Sequence, residues 1–296
     1  MVSIIVIPFR PGFVVARFHG FAYITRNANR PEPGLMSEIE KTVAAKPADK
    51  KPAGKEGVGG TVRVFVEALI IALVVRTLLF QPFEIPSGSL IPTLEIGDYL
   101  FVSKFTYGYS RYSFPFGIAP FSGRLLGSLP KQGDIAVFKG PKDNSTDFIK
   151  RVIGLPGDTV QVIEGRLYIN DKLVERQPIE PYRTRDFFGN PIDAPQYIET
   201  LPNGVQHRVI EIEGDRGGFD NTPKYEVPPD HVFMMGDNRD NSADSRDMNS
   251  MGYVPVENLE GKAQVIFFSI DDRSSFWKVW DWPWAIRWNR LFTGIH

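Results

Sequence analysis

Apolar and polar positions follow two different patterns along this chain, and the change comes near Phe80. From Thr61 to Phe80 the sequence TVRVFVEALIIALVVRTLLF is almost wholly apolar, and its length is close to the roughly twenty residues that cross a bilayer core. Its three charges suit a membrane-spanning helix. Arg63 and Arg76 lie near the ends, where long side chains reach water, and Glu67 lies one helical turn after Arg63, so the two can pair. Pro82 and Pro86 stop the helix. The competing reading is a buried helix of a soluble domain. It accounts less well for the unpatterned leader on one side and the proline stop on the other.

After Phe80 the apolar runs become short and alternate. Asp98 to Lys104, Asp134 to Phe138, Asp147 to Gly154, His231 to Met235 and Ala263 to Ile270 read as strands bounded by Gly, Asp and Pro. Thr159–Ile163 and Arg166–Asn170 predict a hairpin around Glu164-Gly165. Tyr197–Thr200 and His207–Glu213 predict another, with Asn203-Gly204 supplying positive φ angles. Gln177 to Pro195 has little period and reads as part of an insertion with its own hairpins, while Tyr107 to Pro130, rich in aromatic residues, Gly and Pro, is a membrane-surface loop or a long connection. No helix longer than three turns is expected after the span. The fold class is therefore mainly β: one transmembrane helix, then an antiparallel β domain with an inserted β subdomain.

Composition sets the boundaries. Residues 1–34 lack period and 37–60 are rich in Lys, Ala, Pro, Glu and Gly, a mixture that buries too little apolar surface to fold. The division expected is a disordered leader (1–60, with the working chain starting at Met36), the span (61–80), a β domain (81–165 and 231–272), an inserted subdomain (166–230) and a tail (273–296). A signal peptide is a poor reading of the start, because the basic residues follow the apolar ones. Lysines before the span keep the leader in the cytoplasm. In a bacterium the rest then faces the periplasm. All five tryptophans fall between Trp277 and Trp288, where contact with lipid headgroups, aided by Arg287 and Arg290, competes with packing on the β domain.

Charge and cysteine content exclude several functions. The chain has 34 Lys+Arg against 35 Asp+Glu, with no basic segment of a nucleic-acid motif, so no nucleic-acid partner is expected. Without cysteine there is no thiol nucleophile, disulfide or zinc-cysteine site. Four scattered histidines make no metal site.

Three polar blocks remain as candidate chemistry. Ser87-Gly88-Ser89 sets two hydroxyls about one glycine, in a loop stiffened by Pro86 and Pro92. A serine needs a base beside it and donors for an oxyanion, though such clusters are usually turns. Lys150 sits deep in the apolar run Phe148-Ile149-Lys150-Arg151-Val152-Ile153. A desolvated lysine loses proton affinity and can serve as that base, whereas arginine cannot. The third block is Gly236 to Arg246. Its acids invite a calcium reading, but the spacing is not that of an EF-hand loop and Arg239 and Arg246 neutralise them, so no metal is expected. A buttress in which Asp244 pairs with Arg246 and a serine orients a catalytic group fits better.

In this order, after one span, the blocks QPFEIPSGSLIPTL, QGDIAVF, DFIKRVIGLPGD and GDNRDNSADSR followed by GYVP resemble the bacterial type I signal peptidases, membrane-bound serine endopeptidases that use a Ser-Lys dyad on a β fold shared with LexA-like proteins. The resemblance implies Ser89 as nucleophile and Lys150 as general base. It implies an oxyanion hole from the Ser89 amide and the Ser87 hydroxyl, and Ser242 orienting the Lys150 amine with Asp244 and Arg246 in support. It places the substrate pocket on Phe83, Ile85, Leu90, Leu94, Val137, Phe148 and Ile149, apolar as alanine-sized side chains require. Leu90 stands where the family usually has methionine, and the cysteine pair of some relatives is missing. The implied partners are signal peptides of exported preproteins and membrane lipid, without a cofactor, at the inner membrane with the catalytic domain in the periplasm. A specialised processing peptidase of the same clan and a non-catalytic, membrane-tethered peptide-binding β module are the alternatives. A self-cleaving LexA-like repressor would need a DNA-binding helix pair where this chain has its span.

Overall fold

A computed structural model describes residues 13–18, 21–26, 58–114, 121–185, 189–271, 274 and 277–296. The chain divides into two units, Met1–Phe65 and Val66–His296. In the first, β1 (Phe13–Phe18) and β2 (Phe21–Arg26) pair as an antiparallel hairpin. Most of the leader expected to be disordered, including the alternative start at Met36, lies outside the described residues.

The apolar run forms an α-helix over Val58–Val74, followed by a π-helical turn over Val75–Leu79. No helix among the described residues is long and apolar enough to cross a membrane. The regular ladder ends at Val74, and Phe80, expected to be helical, already belongs to β3 (Phe80–Glu84). Most apolar side chains of the helix are nonetheless exposed, Phe65 at 72% and Leu69 at 69%.

Beyond the helix, the second unit is mainly antiparallel β. Its main sheet also contains β4 (Asp98–Ser103), β5 (Ile135–Lys139) and β6 (Asp147–Gly154). A second sheet begins with β7 (Thr159–Ile163), β8 (Arg166–Ile169) and β9 (Lys172–Leu173). A third is made by β10 (Glu175–Arg185), β11 (Pro191–Thr200) and β12 (Gln206–Ile210). β13 (Tyr225–Glu226) completes the second sheet, in the order β13-β7-β8-β9. β14 (His231–Met235), β15 (Val254–Pro255) and β16 (Leu259–Ser269) complete the main one, in the order β15-β14-β6-β5-β16-β4-β3, and β17 (Thr293–Gly294) pairs with β16. β3 is thus an edge strand.

Turn chemistry explains where the strands reverse. Glu164 and Gly165 both have positive φ, 48° and 70°, the two-residue turn that matches strand twist. The second hairpin departs from its expected turn. Gly204 has positive φ but Asn203 does not, because Pro202 fixes a negative φ and the five-residue loop runs through a turn ending in one left-handed glycine. The segment expected to lack period, Gln177 to Pro195, supplies most of the long β10–β11 ribbon.

Two apolar clusters flank the region of interest. One joins Ile85, Leu90, Leu94, Leu100, Val102, Ile135, Val137, Ala263 and Ile266. The other gathers Ala136, Phe138, Val152, Val232, Met234 and Leu259. In the tail, Arg290 pairs with Asp98 and Glu95, and Arg287 with Glu95, so both arginines serve the β domain. Ile286 and Ile295 are buried there too, whereas Trp284 stays 86% exposed and Trp288 64%.

Candidate active site

β6 carries Lys150 into the interior, and a 3-10 turn over Gly88–Leu90 presents Ser89 to it. Lys150 Nζ donates to Ser89 Oγ at 2.5 Å. Both residues are buried, Lys150 to 4% exposure and Ser89 to 6%. Burial drives the Lys150 amine down to about 8; the Asp244 carboxylate opposes that, and Arg246 reinforces it. An amine that is neutral in an appreciable fraction of molecules near neutral pH can take a proton from the serine it touches.

Arg151, the next residue, has a different function. Its Nε and Nη2 donate to the two oxygens of Asp237 at 2.8 Å each, and its Nη1 donates to the Gly133 carbonyl at 2.7 Å. Thr93 Oγ1 donates to Asp237 Oδ2 at 2.6 Å. Burial alone would raise the Asp237 carboxyl, but the Arg151 charge and its hydrogen bonds outweigh that and hold it below the usual range. The pair therefore links the lysine strand, the segment 236–246 and the loop after the serine.

The segment 236–246 also clamps the serine turn. The Asn238 amide N–H donates to the Ser89 carbonyl and its Nδ2 to the Gly88 carbonyl, both at 3.1 Å. Gly236 makes this approach feasible, since a Cβ there would lie 2.5 Å from the Ser89 carbonyl oxygen and 2.3 Å from Ser242 Oγ. Asp244 accepts from Arg246 Nε and Nη2 at 2.9 Å and from the Gly236 amide at 3.0 Å. Asp244 and Arg246 are thus paired with each other.

Ser242 is buried beside Gly236, and its hydroxyl lies close enough to Asp244 to help hold that carboxyl below its usual range; the Lys150 amine is bonded to Ser89. Ser87 is exposed, extended in backbone, and makes no capping bond. Of the seven expected pocket residues, Ile85, Leu90, Leu94 and Val137 are buried in one cluster with Phe83 and Ile149 packed against it. Phe148 belongs elsewhere: it stacks on Phe138 at 6.0 Å and packs with the other cluster. A polar cavity of about 640 Å³ lies near the start of β6, lined by Arg76, Gln81, Lys104, Lys139, Asp147 and Glu260 among others, and does not include the dyad.

The sequence reading missed the clamp. Asn238, Gly236, Thr93 and the Asp237–Arg151 pair lie inside the quoted motifs, but their function depends on close approach between segments far apart in the chain. The charged pattern Arg151…Asp237 was the only available signal, and many acids could have paired with that arginine.

A buried amine bonded to a serine hydroxyl on an antiparallel β scaffold suits a serine hydrolase. A family model described as "Signal peptidase, peptidase S26" matches residues 59–268. The signal peptidase I of Rickettsia typhi is 39% identical over 250 residues, covering 78% of this chain and 92% of its own. That of Rickettsia massiliae is 40% identical over 252 residues, covering 78% and 91%. A solved signal peptidase I from Enterococcus faecalis matches at 25% identity and TM-score 0.28, over 46% of this chain and 97% of that one. The chain belongs to the peptidase S26 family of signal peptidases, and it is a serine peptidase.

Proposed function

We propose that this chain removes signal peptides from exported preproteins, with Ser89 attacking the scissile carbonyl and Lys150 as its general base. The observation that carries this reading is the 2.5 Å bond from a buried Lys150 amine of lowered proton affinity to Ser89 Oγ. Neutral Lys150 takes the serine proton as Ser89 forms the tetrahedral adduct. The protonated amine then gives that proton to the leaving amine, and water resolves the acyl-enzyme by the reverse route. The Ser89 amide and the exposed Ser87 hydroxyl supply the oxyanion donors. No cofactor enters this scheme.

Edge strand β3 suits pairing with an extended substrate. The apolar side chains of Ile85, Leu90, Leu94 and Val137 would then limit the residue before the cut to alanine size. The exposed apolar helix from Val58 with its turn to Leu79 is the membrane anchor, because so many large side chains facing outward call for lipid as their solvent. The leader lies in the cytoplasm and the serine domain in the periplasm, close to where signal peptides end.

The test is cleavage of a preprotein by the full chain and by Ser89→Ala and Lys150→Met, each shown by circular dichroism to be folded. Both substitutions should lower kcat/KM by at least about a thousandfold. Near-normal cleavage by either folded variant contradicts the assignment. Rescue of a bacterium depleted of its own signal peptidase separates this function from that of a specialised processing peptidase.

A further inference from the structure

Three carboxylates next to the clamp take no part in the chemistry above. Glu211 follows β12, Asp220 lies within the loop between β12 and β13, and Asp240 lies in the segment 236–246; one oxygen of each falls within 4.8 Å of one from both others. Glu211 and Asp220 are each 1% exposed and Asp240 is partly buried. Solvent therefore does little to screen the repulsion between Glu211 and Asp220.

The arginines around them are already committed. Arg239 gives two bonds to Glu199, Arg246 two to Asp244 and Arg151 two to Asp237. Arg176 donates to both oxygens of Asp215, at 2.9 and 2.8 Å, and also forms a longer ion pair with Glu211 Oε1 at 3.7 Å, which leaves Glu211 Oε2 and the two aspartates. The expectation that Arg239 and Arg246 neutralise the acids of 236–246 is met for Asp244 alone. Asp240 is left over.

Backbone groups hold the aspartates in place. The Gly217 amide donates to Asp220 Oδ2 at 2.6 Å and the Glu213 amide to Asp240 Oδ2 at 2.7 Å. A Cβ at position 217 would lie 2.0 Å from Asp240 Oδ1, so the glycine leaves room for that oxygen. Glu211 supplies an independent sign of a ligand: its Oε2 is buried without a hydrogen-bond partner among the described residues, a situation that proteins ordinarily avoid unless a water or ion completes it.

We propose that Glu211, Asp220 and Asp240 form a binding site for a hard divalent cation of the calcium type. Carboxylate oxygens without sulfur or imidazole select that class. The ion would fasten the loop 211–220 to the segment that holds Asn238, Ser242 and Asp244. Its ligands come from separate segments, so no contiguous calcium-loop spacing is expected.

The test uses the full chain in detergent, stripped with a chelator, dialysed and titrated with calcium chloride. Calorimetry should show one saturable site per chain, and the thermal midpoint should rise by roughly 4 °C or more at saturation. Asp240→Asn keeps an oxygen for the Glu213 amide and Glu211→Gln keeps its shape. Each should lose at least tenfold in calcium affinity while melting no lower than the wild type without metal, since a repelling charge has gone. The proposal is overturned if calcium up to about 10 mM, above the weakest common protein sites, neither binds nor stabilises the wild type. It is equally overturned if the variants are stabilised as strongly as the wild type, or melt well below it in the absence of metal.

Discussion

The backbone amide of Asn238 donates to the carbonyl of Ser89 at 3.1 Å, so the proposed nucleophile is held by its own main chain to a segment about 150 residues away in sequence. Gly236 permits that contact. Gly236→Ala places a methyl group 2.5 Å from the Ser89 carbonyl oxygen and must push the two segments apart. Because a displacement near 1 Å at the reacting atoms costs about a hundredfold, kcat/KM on a preprotein should fall by roughly that factor. Steady-state kinetics together with the thermal midpoint check this, and an alanine variant of normal activity would refute the clamp.

The Arg151–Asp237 pair is fully buried, with 0% and 1% of the side chains exposed. Removing one partner strands the other charge, a loss of about 3–5 kcal/mol. Arg151→Met and Asp237→Asn should each lower stability by that order in urea unfolding. The double variant should lose clearly less than the two losses added, because it no longer leaves an isolated charge. Simple additivity would show that the two residues act apart.

Leu90 is 0% exposed and packs with Ile85 and Leu94. Leu90→Ala should destabilise by about 2–5 kcal/mol. It should also admit valine in place of alanine before the cut, raising the valine-to-alanine ratio of kcat/KM. Unchanged selectivity in the variant would remove Leu90 from the pocket wall.

Membrane attachment is directly measurable. The full chain should remain in the membrane pellet after alkaline carbonate extraction. A variant with Asp at Leu69 and Ile71, both more than 60% exposed on the helix, should be released. Release of the unaltered chain would contradict the anchor.

Strand identity was legible from alternation and turn residues. DYLFVSK, DIAVF and DFIKRVIG lie at β4, β5 and β6, and Glu164-Gly165 forms the turn expected of it. Phe80 was misplaced because an apolar residue after an apolar helix carries no signal of where the helical ladder yields to an edge strand. Asn203 was misjudged because Pro202 overrides the usual preference of Asn-Gly. At the site, Ser89 and Lys150 could be singled out by residue type and resemblance, but their contact joins residues 61 positions apart. Phe148 shows the remaining limit. Its apolar character fitted a pocket, while the register of β5 against β6 pairs it with Phe138.

The ionisation of Lys150 tests the central claim most directly, by following its side-chain carbon resonance with pH in the folded Ser89→Ala chain and by the pH profile of kcat/KM in the wild type. The folded-state value lies below that of the unfolded chain, so between about 8 and 10.5 the unfolded state holds the extra proton. Stability should therefore rise with pH across that window, and Lys150→Met should remove this contribution. Activity should rise as the amine loses its proton. The account predicts titration near 8, matched by the acidic limb of kcat/KM. Titration near 10.5, the ordinary value, would contradict it.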